Sequence, residues 1–449
     1  MNMQDTISAV ATAHGIGSIS IVRISGDKAL DIAKQLSHKS DFKVRYATLT
    51  PIYNQKNELL DEAIVIYFQG AQSFTAEDVV EIQCHGGFIV AELILRATLD
   101  AGARLANPGE FSKRAFFNGR IDLSEAEAIS KLIEAKSEDA AKILATQMMG
   151  SLKNYVEEVR DEMLHILAYS EVSIDYAEED LPQDLVDQII AKLDALHGRL
   201  SRTLKASESR QGLMQGFKVS IIGKPNVGKS SLLNMLLHYN RAIVSEIAGT
   251  TRDTIEEQIK IGTHLIRIID TAGIRDANDE IERIGIERSI EAIEKSDIVV
   301  ALFDNSRESD AEDDVILKWL EKYQDVKELI VILNKADLSS KFDVLKLKNY
   351  DYIKQNSKES AEKLVENLEK IIDTNNSSDE MMLISLRQSE AVKKALNAIT
   401  EAKEPLVDGE LEIFSFHVIE AINAMSSITR PFENDEMLDK MFGSFCLGK

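Results

Sequence analysis

The chain has 449 residues, of which 44% are hydrophobic and 28% charged, and its formal net charge is −23 at pH 7. This composition is typical of folded proteins and argues against a disordered or fibrous chain, and the length predicts about three domains. Because the chain is so acidic, contact with nucleic acid needs a local basic patch or a partner. It has two cysteines and no apolar run of roughly 20 residues, so we expect a cytosolic protein without a disulfide framework.

Residues 1–120 predict an α+β domain. Apolar residues alternate around 19–24, over 63–68 and over 80–84, which is the period of a strand. Over 88–99 they recur at helical spacing instead.

Residues 121–215 predict the first part of a helical domain, because apolar residues recur there at steps of three and four. Strands and helices alternate again over 216–373, which predicts an inserted α/β domain. A polar break at 374–379 precedes further helices up to residue 449. We therefore predict that 121–215 and 374–449 pack together as one discontinuous helical domain.

A phosphate-binding motif opens the inserted domain. Gly223 to Ser230 read GKPNVGKS, which fits G-x-x-x-x-G-K-[ST] between an apolar strand and a helix. Backbone amides and the helix N-terminus attract phosphate, Lys229 is predicted to reach the β- and γ-phosphates, and Ser230 to bind Mg²⁺. The predicted nucleotide-binding residues of this segment are Asn226, Val227, Gly228, Lys229, Ser230 and Ser231.

Two further motifs follow in the order of a Ras-like P-loop GTPase. The D-x-x-G motif comprises Asp270, Thr271, Ala272 and Gly273, and the N-K-x-D motif comprises Asn334, Lys335 and Asp337. The Asp337 carboxylate can accept hydrogen bonds from N1–H and the 2-amino group of guanine, which adenine lacks, so GTP is favoured over ATP. The segment 356–358 is a weak candidate for the loop that supports the guanine ring.

A switch loop is predicted between the phosphate-binding motif and the D-x-x-G motif, with a threonine that completes the magnesium shell. Its predicted nucleotide-binding residues are Ser245, Glu246, Ile247, Ala248, Gly249, Thr250 and Thr251. Small GTPases place a water-orienting glutamine after D-x-x-G, whereas this chain has Ile274. Hydrolysis therefore needs another group: an acid at Asp276, Asp279, Glu280 or Glu282, or a cation beside the P-loop.

The chain resembles the tRNA modification GTPase family MnmE, also called TrmE, over almost its whole length. Besides Ile274 after D-T-A-G, the resemblance rests on segments that flank the inserted domain. They are Asp5–Ile7, Ile21–Gly26, Phe74–Gly87, Pro108–Phe116, Asn118–Leu123 and Phe445–Lys449.

The resemblance implies a potassium-activated GTPase that forms a homodimer through a folate-binding N-terminal domain. It implies a 5-formyltetrahydrofolate-type one-carbon donor and an FAD-dependent partner, MnmG, in a heterotetrameric complex. Together they would add an aminomethyl or carboxymethylaminomethyl group to C5 of the tRNA wobble uridine (U34), with tRNA contacted mainly through the partner.

The family's site residues map onto positions that match its motifs in this sequence. For folate these are Arg23, Glu81, Arg120 and Lys449; for potassium Asn226, Ser245, Ile247 and Thr250; for magnesium Ser230 and Thr251. Glu282 matches the acid linked to water activation, with Lys229 as the second catalytic residue.

Several alternatives stay open at this level. Arg23 and Glu81 also suit the solvent-facing side of an alternating sheet, and Lys449 suits a frayed terminus. For Cys446 a packing role is favoured over a catalytic thiol. The alternative function is a regulatory or ribosome-assembly GTPase switch, against which the acidic flanks argue because such proteins carry basic RNA-binding appendages.

Overall fold

The computed structural model describes residues 5–13, 15–175, 183–239, 257–269, 282–356, 361–376, 380–430, 435–445 and 448. The chain divides into two compact units. The first comprises Met1–Ile133, Thr146–Ile189 and Asn397–Lys449, and the second comprises Glu134–Ala145 and Ile190–Leu396. Within the described ranges, no helix has the length and apolarity needed to cross a membrane.

Both units combine strands with helices. The strands are β1 (Ile7–Val10), β2 (Ile19–Ser25), β3 (Thr48–Tyr53), β4 (Leu59–Phe68), β5 (Val79–His85), β6 (Arg104–Leu105), β7 (Phe217–Gly223), β8 (Glu257–Ile261), β9 (His264–Ile268), β10 (Ile298–Asp304), β11 (Glu328–Asn334) and β12 (Tyr352–Lys354). The helices are α1 (Ala29–Ser37), α2 (Phe88–Asp100), α3 (Glu110–Phe117), α4 (Leu123–Glu134), α5 (Glu138–Met148), α6 (Ser151–Asp175), α7 (Gln183–Ser209), α8 (Gln211–Gln215), α9 (Lys229–Tyr239), α10 (Glu282–Lys295), α11 (Ala311–Tyr323), α12 (Glu362–Asn376), α13 (Leu386–Val407), α14 (Leu411–Thr429) and α15 (Asp435–Gly443).

The first unit contains a six-stranded sheet in the order β3-β4-β5-β2-β1-β6. Neighbouring strands are antiparallel except β1 and β6, which are parallel. Alternate residues of β2 and β5, such as Val22 and Ile82, are fully buried against Ile32 of α1 and Ile94 of α2. The alternation in the sequence therefore marks the buried face of this sheet.

In the helical part of the first unit, the apolar residues that recur at steps of three and four form one buried stripe along α6, as predicted. Helix α6 packs along α14. The stripe residues of α6 are all buried: Leu152, Val156, Val159, Met163 and Ile166. Burial of one face against a neighbouring helix is what a repeat of three and four residues produces.

The second unit contains a six-stranded sheet in the order β12-β11-β10-β7-β9-β8, parallel except for the β8–β9 hairpin. Helices α9 and α12 pack on one face, where Leu232 and Leu364 are fully buried. Helices α10 and α11 pack on the other face against Phe303. A sheet covered on both faces explains why its strands read as continuous apolar runs, and parallel strands place their carboxyl ends at one edge.

The second unit also includes residues outside the predicted inserted domain. Ser137, just before α5, donates its hydroxyl to the Leu213 carbonyl at 3.1 Å, and the Glu138 amide bonds the Thr263 carbonyl at 3.2 Å. Helix α12 continues to Asn376, three residues past the predicted exit. The predicted boundaries at 121, 216 and 374 stay predictions.

Candidate functional site

The phosphate-binding motif lies between β7 and α9, as its spacing requires. Asn226 adopts a left-handed backbone with φ of 61°, and Gly228 has φ of 111°. A Cβ atom on Gly228 would lie 2.2 Å from Nδ2 of Asn334, so only glycine fits there without displacing that side chain. Ser230 is exposed at the start of α9, and Ser231 is half-buried.

Lys229 begins helix α9 and has its ammonium group turned onto the loop itself. Its Nζ donates to the carbonyl of Gly223 at 2.6 Å and to the carbonyl of Lys224 at 2.8 Å. Burial disfavours the charged form and lowers the pKa of Lys229 to about 8. In this structure Nζ of Lys229 therefore donates to two neutral carbonyl oxygens. A bound phosphate would offer it charged acceptor oxygens, which form stronger hydrogen bonds.

The N-K-x-D motif contacts the phosphate loop directly. Asn334, at the end of β11, is 2% exposed, and its Nδ2 donates to the Val227 carbonyl at 2.7 Å. The two motifs are 107 residues apart in sequence at this contact. Asp337, three residues after Asn334, is exposed. The structure thus brings together the two motifs that we expect to hold phosphate and guanine.

Asp304, which the sequence analysis did not single out, organises the N-K-x-D loop. Its Oδ2 lies 2.6 Å from Nζ of Lys335, whose φ is 59°, and its Oδ1 accepts from the Ser306 hydroxyl at 2.6 Å. Burial alone would raise the pKa of Asp304, but the Lys335 and Ser306 hydrogen bonds hold it below its usual value. The available signal was an aspartate at the carboxyl end of the apolar strand β10.

Lys224 of the phosphate loop is a second residue with an unexpected role. Its Nζ lies 2.7 Å from a carboxylate oxygen of Asp310 and 2.7 Å from one of Asp313. Asp310 is the N-cap of α11 and forms a capping box with Asp313, which is buried. Burial opposes the charge on Lys224, but both carboxylates raise its pKa. The phosphate loop is therefore anchored to the start of α11.

Many of the predicted site residues lie outside the described residues. These are Ser245, Glu246, Ile247, Ala248, Gly249, Thr250, Thr251, Asp270, Thr271, Ala272, Gly273 and Lys449. Cys446 and positions 357–358 of the weak guanine-ring candidate also lie outside. Glu282 is the first residue of α10.

The predicted folate residues Arg23 and Glu81 face each other on neighbouring strands. Nη2 of Arg23 lies 2.8 Å from Oε1 of Glu81, and the side chains are 20% and 16% exposed. The guanidinium carbon of Arg23 is 5.7 Å from the ring centres of Phe74 and Phe111. They are therefore a largely covered ion pair rather than the solvent-facing residues of an alternating sheet.

The other two predicted folate residues are Lys449, which lies outside the described residues, and Arg120. Nη1 of Arg23 donates to the carbonyl of Gly448 at 3.4 Å, so the residue before Lys449 lies at this pair. Arg120 is exposed. The structure gives no contact between Arg120 and the Arg23–Glu81 pair within the described ranges.

A charged network joins Arg104 to residues of three segments that carry the family resemblance. Arg114 and Glu110 are nearly fully buried, and Arg114 contacts Asp5 at 2.6 Å and Glu77 at 3.2 Å. Arg104 lies 2.7 Å from Glu110. Burial raises the pKa of Glu110, yet Arg104 and neighbouring donors hold it below its usual value. These residues serve the fold, because a buried charge needs such partners.

Comparison with known proteins relates nearly the whole chain to one family. A sequence model of the MnmE helical domain matches residues 123–446, and one of the GTP-binding protein TrmE N-terminus matches residues 6–120. The tRNA modification GTPase MnmE of Sulfurimonas denitrificans is 70% identical over 446 residues, which cover 99% of this chain and 100% of the relative. The chain belongs to the MnmE family. The predicted family and the predicted multidomain fold class are confirmed.

Other similar proteins include a second MnmE. The tRNA modification GTPase MnmE of Sulfurovum sp. is 60% identical, over 100% of this chain and 99% of the relative. A crystal structure of Era with MgGDPNP and nucleotides 1506–1542 of 16S ribosomal RNA covers 40% of this chain and 66% of its own, at 25% identity. Its TM-score of 0.26 is too low to carry an argument.

Proposed function

We propose that this MnmE-family chain hydrolyses GTP during modification of C5 of the wobble uridine, U34, in tRNA. The observation that carries the GTP site is the Asn334–Val227 hydrogen bond, which joins the N-K-x-D motif to the phosphate loop. The tRNA role follows from family membership, since the relatives are tRNA modification GTPases. Competition of GDP, GTP and ATP for the purified protein tests the site; displacement by ATP as effective as that by GDP would refute guanine selection by Asp337.

Magnesium fits the donors at the start of α9. Ser230 is exposed there and supplies a hydroxyl oxygen, and Mg²⁺ binds oxygen ligands together with substrate phosphates. In this proposal Ser230 and Thr251 are its protein ligands, and the bound ion neutralises phosphate charge. Lys229 exchanges the carbonyls of Gly223 and Lys224 for phosphate oxygens.

Potassium activation is proposed for the same site, with ligands from Asn226, Ser245, Ile247 and Thr250. Asn226 supports this because it is an exposed residue with an amide side chain on a left-handed turn of the phosphate loop. A monovalent cation there would supply positive charge near the phosphates, which the chain needs because Ile274 cannot orient water. Equal GTP turnover in potassium and sodium at matched ionic strength would remove this mechanism.

Glu282 is proposed to support the attacking water. Glu282→Gln should slow GTP hydrolysis greatly while GTP affinity stays nearly unchanged, because the amide cannot take up a proton. Glu291→Gln is the matched control on the same helix, since Glu291 is exposed and pairs with Lys295. A normal turnover rate for Glu282→Gln would exclude this role.

The N-terminal domain is proposed to bind a 5-formyltetrahydrofolate-type donor through Arg23, Glu81, Arg120 and Lys449, and to form the homodimer. The donor set suits this ligand because guanidinium groups bind carboxylates and Glu81 can accept from the pterin's donor edge. Titration with 5-formyltetrahydrofolate should show weaker binding for Arg23→Ala. Arg96→Ala, which removes an exposed arginine of α2, is the control; equal affinity for both variants would count against the assignment.

The partner is proposed to be the FAD-dependent MnmG in a heterotetrameric complex, which would also contribute tRNA contacts. The test compares tRNA nucleoside masses from a deletion strain carrying either the intact chain or Lys229→Ala. Loss of aminomethyl and carboxymethylaminomethyl uridine at U34 in the variant supports the proposal. Unchanged nucleosides would favour a regulatory or ribosome-assembly switch instead.

A further inference from the structure

The first unit carries a mixed cluster of one histidine and two glutamates on neighbouring helices. His417 and Glu420 belong to α14, and Glu401 belongs to α13. Nδ1 of His417 lies 3.4 Å from a carboxylate oxygen of Glu401 and 3.7 Å from one of Glu420. One ligand atom from each residue falls within 4.8 Å of the other two.

The surroundings of Nδ1 of His417 suit a bound cation, because two carboxylates lie near it. The side chain is 18% exposed, but Nδ1 itself is shielded from solvent and has no hydrogen-bond partner. A buried nitrogen without a hydrogen bond calls for a specific explanation, such as a bound ion.

We propose that Glu401, His417 and Glu420 bind a divalent transition-metal ion of the Zn²⁺ type. One imidazole nitrogen with carboxylate oxygens suits Zn²⁺ and its neighbours, whereas Mg²⁺ and Ca²⁺ prefer oxygen alone. Zn²⁺ bonds of about 2.0–2.1 Å in a tetrahedron separate ligand atoms by about 3.3–3.4 Å. The observed separations of 3.4 and 3.7 Å from Nδ1 are close to this.

The ion would join two helices. His417 and Glu420 are three residues apart on one helix and share a face, and Glu401 supplies the ligand from the preceding helix. Both glutamates are more than half exposed, so their rotamers can adjust and water can occupy a remaining position. This metal site needs neither nucleotide nor tRNA, so it goes beyond the proposed GTPase function.

The alternative is that these three residues bind no metal ion. Full-length protein, treated with chelator and free of nucleotide, distinguishes the two when titrated calorimetrically with Zn²⁺ alone. The wild type should bind Zn²⁺ at a site that His417→Ala loses or binds at least about tenfold more weakly, since even outer-shell changes cost that much. Glu401→Gln should also weaken it.

The matched control is His85→Ala. His85 is 76% exposed and faces one carboxylate, with Nδ1 2.7 Å from Oδ1 of Asp61, so it tests whether a single histidine–carboxylate pair suffices. Zn²⁺ affinity and stoichiometry should stay at the wild-type values in this control. If His417→Ala also keeps both, the metal site is refuted.

A second measurement guards against misfolding of the histidine variant. Zn²⁺ should raise the melting temperature of the wild type, since a ligand that binds the folded state stabilises it. Glu401→Gln alters only an exposed carboxylate and should remove most of this rise while its far-ultraviolet circular dichroism stays unchanged. An undiminished rise in Glu401→Gln would contradict the proposed ligand set.

Discussion

Replacing Asn334 by alanine tests the contact that unites the two nucleotide motifs. The substitution removes a hydrogen bond of 2.7 Å and leaves the carbonyl of Val227, a residue only 1% exposed, without this donor. An unsatisfied buried polar group costs about 1–3 kcal/mol. The phosphate loop is then free to leave its binding geometry, and the nucleotide must restore it.

The expected result is weaker nucleotide binding. If the whole cost is transferred to binding, the affinity for GDP falls about 5- to 150-fold, because each 1.4 kcal/mol is tenfold. The affinities for GTP and GDP should fall by similar factors, because the broken bond lies between the phosphate loop and the N-K-x-D motif. Asn334→Asp should weaken binding at least as much, since a carboxylate would face the Val227 carbonyl.

Equilibrium titration with a fluorescent GDP analogue measures this effect. Asn367→Ala provides the control, because Asn367 is exposed on α12 of the same unit and its Nδ2 donates to the Lys363 carbonyl of the same helix. Circular dichroism checks that both variants are folded. If Asn334→Ala binds GDP as tightly as the wild type, this hydrogen bond does not hold the phosphate loop, and the reasoning fails.

Three further predictions concern the same loop. Gly228→Ala should weaken GDP binding about as much as Asn334→Ala, because its Cβ would meet Nδ2 of Asn334 at 2.2 Å, and the double variant should be less than additive in GDP titrations. Lys224→Met should destabilise the second unit by about 3 kcal/mol in thermal unfolding, since buried Asp313 loses its cation; unchanged melting would contradict the anchor. Lys229, with a pKa of about 8, is charged below that pH and neutral above it, so nucleotide binding should take up a proton and weaken as pH rises past 8. Calorimetry at pH 7 and pH 9, in buffers of different ionisation enthalpy, would detect that uptake, and none at pH 9 would contradict it.

The sequence predicted elements whose signals are local. The eight-residue frame of the phosphate motif, the alternation in β2 and β5 and the apolar stripe of α6 each depend on spacing within a few residues. These spacings follow from strand and helix geometry, so they can be recognised without knowing which elements pack against the strand or helix. The segments that flank the inserted domain predicted the family, and comparison with known proteins confirmed it.

Contacts between segments that are distant in sequence could not be predicted from local spacing. Lys224 meets Asp310 and Asp313, 86 and 89 residues later, and Asp304 meets Lys335, 31 residues later. These pairings arise because β7, β10 and β11 are neighbours in the sheet and end at one edge. Nothing in the periodicity of a single strand specifies that order.

The amino-acid sequence by itself determined that this chain carries a phosphate loop, an N-K-x-D motif and the flanks of one family, because each is written in contiguous residues. Tertiary structure decided which carbonyl Asn334 binds, that residues 134–145 belong to the second unit, and that Glu401 meets His417. The physical reason is that hydrogen bonds and ion pairs act over a few ångströms in space, and only the folded chain brings residues so far apart in sequence to that distance.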